Sequence, residues 1–428
     1  ISQTISKKPQ FKELLTEKLD KVLVHPVLGY LVFGIILLTI FQSVFFIAEY
    51  PMNWIDAAFA WLSETSRTWL PEGPLNSLIS DGIIPGIGGI VIFAPQIGIL
   101  LYFLYLLEDS GYMARVIFLM DRFLRPFGLN GKSIVPLVSG TACAIPAIMS
   151  TRNIENVKER LITILITPFM TCSARLPVYS IIIALIFTDG TFFGVKYKAI
   201  ALLGMYFLGF ATSLIAAFIL KYFIKNKGKT FLVMDLPTYK MPLWKYDFKL
   251  VLGKVWEFIT GAGKIILAVS VILWFLSYFG PKDDFHILEH HSDVKLENSY
   301  LAKIGKQMEP VISPLGYDWK MGVGILTSFA AREVFVGTMS TLYSLDDDAP
   351  EKSVIEKMRS DVKPNGEKVF SFATGLSILI FYAFAMQCIS TIAVVYRETK
   401  SWKWTAIQLV FMSGLAYLAS MLVYQFFK

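Results

Sequence analysis

Charged residues in this chain come in blocks, with long apolar stretches between them. Six stretches contain no Asp, Glu, Lys or Arg: Val27–Ala48, Gly82–Leu107, Ser133–Thr151, Ala199–Leu220, Val369–Tyr396 and Trp404–Phe427. Three more are interrupted by isolated charges: Leu161–Thr188 by Arg175, Met321–Leu345 by Arg332 and Glu333, and the region around Phe258–Pro281 by Lys264. A helix needs about 20 mostly apolar residues to cross the hydrocarbon core, and most of these stretches reach that length. Helices are the predicted form, because in lipid each backbone polar group must find its partner within its own segment. The pattern predicts an all-α polytopic membrane protein.

The charges between these segments predict how they thread. Residues 1–26 (five Lys), Glu108–Lys132 (four Lys/Arg), Lys221–Lys254 (eight Lys) and Arg397–Lys403 (three Lys/Arg) mark the cytoplasmic side, whereas the acid-rich Glu49–Asp81 and Lys282–Glu297 belong outside. Nine full crossings do not satisfy this map. Ser133–Thr151 must dip in from the cytoplasm and return, and Met321–Leu345 must dip from outside. That leaves Asp346–Lys368 outside despite five basic residues, together with the C-terminal end.

A repeat supports the two dips independently. Met120-Asp-Arg-Phe-Leu-Arg-Pro-Phe-Gly-Leu-Asn-Gly-Lys132 aligns without gaps to Met308-Glu-Pro-Val-Ile-Ser-Pro-Leu-Gly-Tyr-Asp-Trp-Lys320, and each copy precedes one dipping segment. Entered from opposite faces, the two form the pattern of inverted-topology repeats with broken or re-entrant gate helices, whose site lies where the broken helices meet. The expected division is a cytoplasmic juxtamembrane segment (1–26), a first transmembrane helix with an outer loop (27–84), a first gate repeat (85–224), a Lys-rich cytoplasmic linker (225–254), and a second gate repeat with terminal helices (255–428).

Composition agrees. Charged residues make up 17% of the 428, against about 25% in soluble domains. The net charge of +7 sits in a loop suited to an anionic leaflet and does not indicate nucleic acid. The three cysteines lie inside apolar segments, so no disulfide framework is expected. The start at Ile1, followed by a polar stretch, reads as a cut edge of a longer protein and not as a signal peptide.

Candidate chemistry collects in the broken segments. The first dip reads Gly140-Thr-Ala-Cys143-Ala-Ile-Pro146-Ala-Ile-Met149, and the next segment Pro168-Phe-Met170-Thr-Cys172-Ser-Ala-Arg175-Leu-Pro177-Val-Tyr179. Prolines free backbone carbonyls that must bond something other than their own turn. Thiols and thioethers are soft ligands suited to transition metals, and Met386-Gln-Cys388 adds to them. The plain alternative is that each cysteine is a small buried hydrophobe, and no CxxC or HExxH spacing strengthens the metal reading. Arg332 and Glu333 inside an apolar segment point to a wet path or to mutual pairing. Arg175 suits capping of freed carbonyls or pairing with a carboxylate. Glu108 and Asp109 at a cytoplasmic helix end, and Asp283, Asp284, His286, Glu289, His290 and His291 in an outer loop, are candidates for cation release and intake. Gly128-Leu-Asn-Gly131-Lys132-Ser133 lacks the earlier glycine of a P-loop, because position 126 is Pro, and no nucleotide site is expected.

At these residues the chain resembles the ferrous-iron transporter B family. The resemblance rests on Glu108-Asp-Ser-Gly-Tyr-Met-Ala-Arg115, Gly131-Lys-Ser, the Cys143–Pro146 segment, Pro168–Tyr179, Pro314–Lys320, Ala330-Ala-Arg-Glu333, Met386-Gln-Cys388 and Arg397-Glu-Thr399. It implies a multi-pass importer of Fe²⁺ in the bacterial inner membrane, working by alternating access through gates like those of nucleoside transporters. It also implies control by an upstream GTP-binding domain that this chain does not carry, so the chain itself is not expected to be an enzyme. Small cytoplasmic regulatory proteins and homo-oligomers are possible partners besides lipid. The family's gate cysteines fall on Cys143 and Cys172, and its later membrane cysteine on Cys388. The expected metal neighbourhood comprises these three with Met149, Met170, Met386 and Glu333, flanked by the gating or charge-pairing residues Pro146, Pro168, Arg175, Pro177 and Arg332. The rival functions are an organic-solute transporter of nucleoside type and a non-transporting membrane metal sensor.

Overall fold

The computed structural model describes residues 11–71, 73–187, 190–192, 195–224, 238–280, 299–329, 332, 334–343, 351–362, 368–386 and 388–428. Helices dominate, beside a two-residue antiparallel pairing of Thr191–Phe192 with Val195–Lys196. Among the described residues seven helical stretches are long and apolar enough to cross a membrane. They match the seven crossings left once the two dips are set apart, and the protein is an all-α polytopic membrane protein.

Helix α1 (Phe11–Leu23) precedes α2 (Leu28–Trp69). At 42 residues α2 is about 60 Å long, so the stretch expected as outer loop is helical as far as Trp69. The second span is in two pieces, α3 (Ile84–Val91) and α4 (Ala94–Asp109), separated at Ile92–Phe93. Helix α5 (Tyr112–Leu124) leads into the first dip, α6 (Ile134–Ala142) and α7 (Ala144–Ser150). The next span is also broken, into α8 (Val157–Ile166) and α9 (Leu176–Ile186), and α10 (Tyr197–Phe223) follows. Helix α11 (Trp244–Tyr278) begins inside the stretch expected as linker.

The second half repeats this order of parts. Helix α12 (Tyr300–Ile312) leads into a dip of α13 (Trp319–Thr327) and α14 (Val334–Tyr343). After α15 (Glu351–Ser360) comes a broken span, α16 (Phe372–Phe384) and α17 (Ile389–Thr399), then α18 (Trp402–Phe427). The aligned strings adopt matching local structure. Each forms a short 3-10 turn over Arg125–Phe127 or Ser313–Leu315, closed by Gly128 or Gly316 at φ 79° and 89°. Glycine is required at such positive φ, and at Gly316 a Cβ would also lie 2.3 Å from the Tyr424 ring.

Matched lysines close the two dips. Lys132 pairs with Glu155 at 2.8 Å, beyond the end of α7. Lys320 pairs with Asp361 at 3.2 Å and lies over the ring of Tyr343, the last residue of α14. Each dip therefore returns to the end where it began. The two broken spans run antiparallel. Arg160, near the start of α8, bonds Glu398 at the end of α17, while Phe187 after α9 meets Phe372 at the start of α16 edge to face. The first dip opens beside the start of α8, where Asn130 bonds Glu159. The second opens at the far end, where Arg359 bonds the Ala184 carbonyl of α9.

Candidate functional site

The breaks in the two antiparallel spans, α8/α9 and α16/α17, are finished by arginine. A helix end leaves carbonyls without partners, and in an apolar surround each such group is costly. Arg175 is wholly buried. It donates to the carbonyls of Pro168 at 2.9 Å, Phe169 at 3.2 Å and Met170 at 3.1 Å. Arg332, from the tip of the second dip, donates to Tyr382 at 3.3 Å and Ala385 at 3.0 Å across the other break. These two arginines cap carbonyls, one of the two roles expected for Arg175. Each dip also touches the break of its own half: Ser173 Oγ donates to Ala142 O at 2.9 Å, and Ile389 N to Phe329 O at 3.1 Å.

The breaks fall on the cysteines. Cys143 separates α6 from α7 in extended backbone, with Gly140 inside α6 and Pro146 inside α7, so the break lies between the residues expected to cause it. Cys388 occupies the residue before α17, and Cys172 the residue before the 3-10 turn Ser173–Arg175 that opens α9. Pro168 lies in the 3-10 turn that ends α8, and Pro177 in the first turn of α9.

All three cysteines line one cavity of about 110 Å³, together with Met170, Met386, Pro168, Arg332 and, from α4, Gln96. None is in a disulfide. Among the described residues no three His, Cys, Asp or Glu side chains converge closely enough to hold a metal ion. The sulfurs therefore occupy separate parts of the wall. Met149 falls elsewhere, in a second cavity of about 330 Å³ that also contains Glu108, Pro146, Arg152 and Lys254. The two cavities share Ile97, Ile145 and Phe258, an apolar partition between them. Asp109, beside Glu108, accepts the backbone N–H of Leu243 at 2.9 Å at the start of α11. Glu333, Asp283, Asp284, His286, Glu289, His290 and His291 lie outside the described residues.

Ion pairs surround the second cavity. The Glu398 side chain is only 3% exposed and accepts from both Arg152, after α7, and Arg160 of α8. The bond to Glu398 pushes the Arg152 guanidinium above its ordinary value. Glu257 of α11 takes Lys254 and Arg397. These partners were missed in the sequence except as members of the string Arg397-Glu-Thr399, because surface-type charges give no hint of their partners at long separation. Gln96 was missed too, although Pro95 beside it signals the break in the second span.

Helical hairpins meeting broken, antiparallel spans around a small cavity define a gate-type membrane protein. The family model described as "Gate: Nucleoside recognition" matches residues 90–186 and 259–402, and that described as "Ferrous iron transport protein B C terminus" matches residues 202–257. The Fe(2+) transporter FeoB of Leptospira biflexa is 44% identical over 430 residues, covering 100% of this chain and 62% of that protein. Its namesake in Leptospira interrogans is 41% identical, with 99% and 61% covered. A Fe(2+) transport protein A/Fe(2+) transporter FeoB fusion protein of Porphyromonas gingivalis is 35% identical, with 97% and 52% covered. The chain belongs to the ferrous-iron transporter B family. It spans less than two thirds of the length of these relatives. No solved structure matches it.

Proposed function

We propose that this chain forms the passage by which Fe²⁺ crosses the bacterial inner membrane, as part of a longer importer whose GTP-binding domain drives the gates. The observation that carries this reading is the single cavity into which both breaks and the first dip each bring a cysteine. Fe²⁺ accepts sulfur readily, and a helix start favours an anion beside it, which a metal-bound thiolate is. Arg332 in the wall also favours anionic sulfur over a bare cation. The separation of the sulfurs suits transport: a closed set of ligands retains its metal, whereas conduction needs binding weak enough to release.

The two halves act as inverted-topology repeats, each dip sealing one side in turn. From the sulfur-lined cavity the ion crosses the partition of Ile97, Ile145 and Phe258 into the chamber holding Met149 and Glu108. Arg152, Lys254 and the Lys-rich connection mark that chamber as cytoplasmic. The description of the gate model raises the rival of an organic solute, but a cavity of about 110 Å³ is below the roughly 300–1,000 Å³ of organic-ligand pockets.

The test is Fe²⁺ uptake by the full-length transporter in proteoliposomes, with Cys143, Cys172 and Cys388 each replaced by Ser. Uptake should fall at least roughly tenfold, the scale on which metal sites respond to lost partners. Unchanged uptake and unchanged metal preference in all three would remove sulfur from the passage.

A further inference from the structure

Sulfur alone selects poorly for Fe²⁺. Across the divalent first-row metals Fe²⁺ ranks below Zn²⁺ and Cu²⁺ in affinity, and Zn²⁺ settles into closed four-coordinate thiolate sites. A passage offering only separated thiols would favour those ions over Fe²⁺. The cavity wall carries four neutral oxygen-bearing side chains that the sulfur reading leaves unused, Gln96, Ser173, Ser390 and Thr391; Ser173 is already bonded to the Ala142 carbonyl.

Ser390 is 1% exposed and lines the cavity, and its hydroxyl has no hydrogen-bond partner among the described residues. Leaving a buried hydroxyl in this state is costly. Helical serines ordinarily turn this group to the carbonyl one turn back. Ser390 is the second residue of α17, so the turn behind it is the break at Met386–Cys388. Gln96 stands in the first turn of α4, beside the break in the second span. It is 7% exposed and lines the same cavity. A buried hydroxyl without a partner among the described residues, and an amide lining the same cavity, point to a ligand that supplies the missing interaction.

We infer that the Gln96 carboxamide oxygen and the Ser390 hydroxyl are oxygen ligands to the ion in this cavity, and that they set its preference for Fe²⁺ over Zn²⁺. The inference rests on the cavity being the Fe²⁺ passage. Oxygen donors raise the coordination number beyond the four that Zn²⁺ adopts with sulfur. Being neutral, they do so without adding charge that would trap the ion.

The experiment measures initial uptake of Fe²⁺ and of Zn²⁺ by the full-length transporter in proteoliposomes. Gln96→Leu, Ser390→Ala and the double variant are compared with Gln96→Glu, which keeps an oxygen, and with Cys388→Ser. The first three should lower the Fe²⁺-to-Zn²⁺ uptake ratio roughly tenfold, and Gln96→Glu should retain it. A wild-type ratio in folded Gln96→Leu and Ser390→Ala protein, or an equal loss for both metals, overturns the inference. Where Gln96→Leu does not purify as folded protein, Gln96→Met, close in size and without the oxygen, replaces it. Unchanged Fe²⁺ uptake in Cys388→Ser beside an altered ratio in Gln96→Leu counts against sulfur while upholding the oxygen ligands. The reverse pair of results sinks the oxygen ligands alone.

Discussion

Ser173 Oγ donates a hydrogen bond to the carbonyl of Ala142 at 2.9 Å, joining the break in one span to the tip of the first dip. The same junction in the second half is made by backbone, from Ile389 N to Phe329 O. One half is therefore open to a side-chain test that the other is not. Ser173→Ala should cost about 1 kcal/mol and loosen the tip. A lowered thermal midpoint of the purified protein, with faster amide exchange at Thr141–Ala144, is the expected result; unchanged exchange there would mean that the bond does not hold the tip.

The arginine caps should differ in weight. Arg175 serves three carbonyls and Arg332 serves two. Replacing Arg175 by Met strands all three in an apolar surround, a loss of roughly 3 kcal/mol or more, and folded protein should fall sharply on size-exclusion profiles. Arg332→Met should be milder. An Arg175→Met protein as stable as the parent would mean that those carbonyls find other partners.

Glu398 ties the end of the first dip to the end of α17 through Arg152, and it also holds Arg160. Glu398→Gln weakens both bonds while keeping the shape. Both arginines remain partly exposed and stay solvated, so the stability loss should be modest, about 1–2 kcal/mol. The larger effect should be on gating: Cys143 should react faster with a membrane-impermeant maleimide applied from the cytoplasmic face. An unchanged labelling rate would show that this ion cluster does not hold that side shut.

The mouth of the first dip should respond to acid. The bond from Lys132 holds the Glu155 carboxyl below its ordinary value of 4.5. A carboxyl lowered in the folded protein contributes stability that is fully present above its unfolded value and is lost as pH falls through its folded value. The difference in thermal midpoint between the parent and Lys132→Met should therefore be flat from pH 7 to about 5 and shrink at lower pH. A difference that shrinks between pH 7 and 5 would assign it to another group.

Much of the scaffold is legible in the sequence. Apolar runs and lysine placement separate the crossings from the dips, and the match of Met120–Lys132 to Met308–Lys320 marks both dip starts. Local signals failed where partners are distant. Nothing near Glu398 announces Arg152, 246 residues away, and nothing near Gln96 places it opposite the cysteines. The helical continuation of α2 to Trp69 was hidden because acidic and polar residues suit an exposed helix as well as a loop.

By itself the sequence determined the all-helical membrane architecture and the breaks at Cys143 and between Pro168 and Pro177, because hydrophobic length, proline and charge bias act on a segment irrespective of its neighbours. Only the tertiary structure decided that three separated thiols line one cavity, that Met149 belongs to a different chamber, and that Arg332 caps the break before α17. Those facts depend on how antiparallel spans pack, and side-chain convergence across hundreds of residues leaves no periodic trace along the chain.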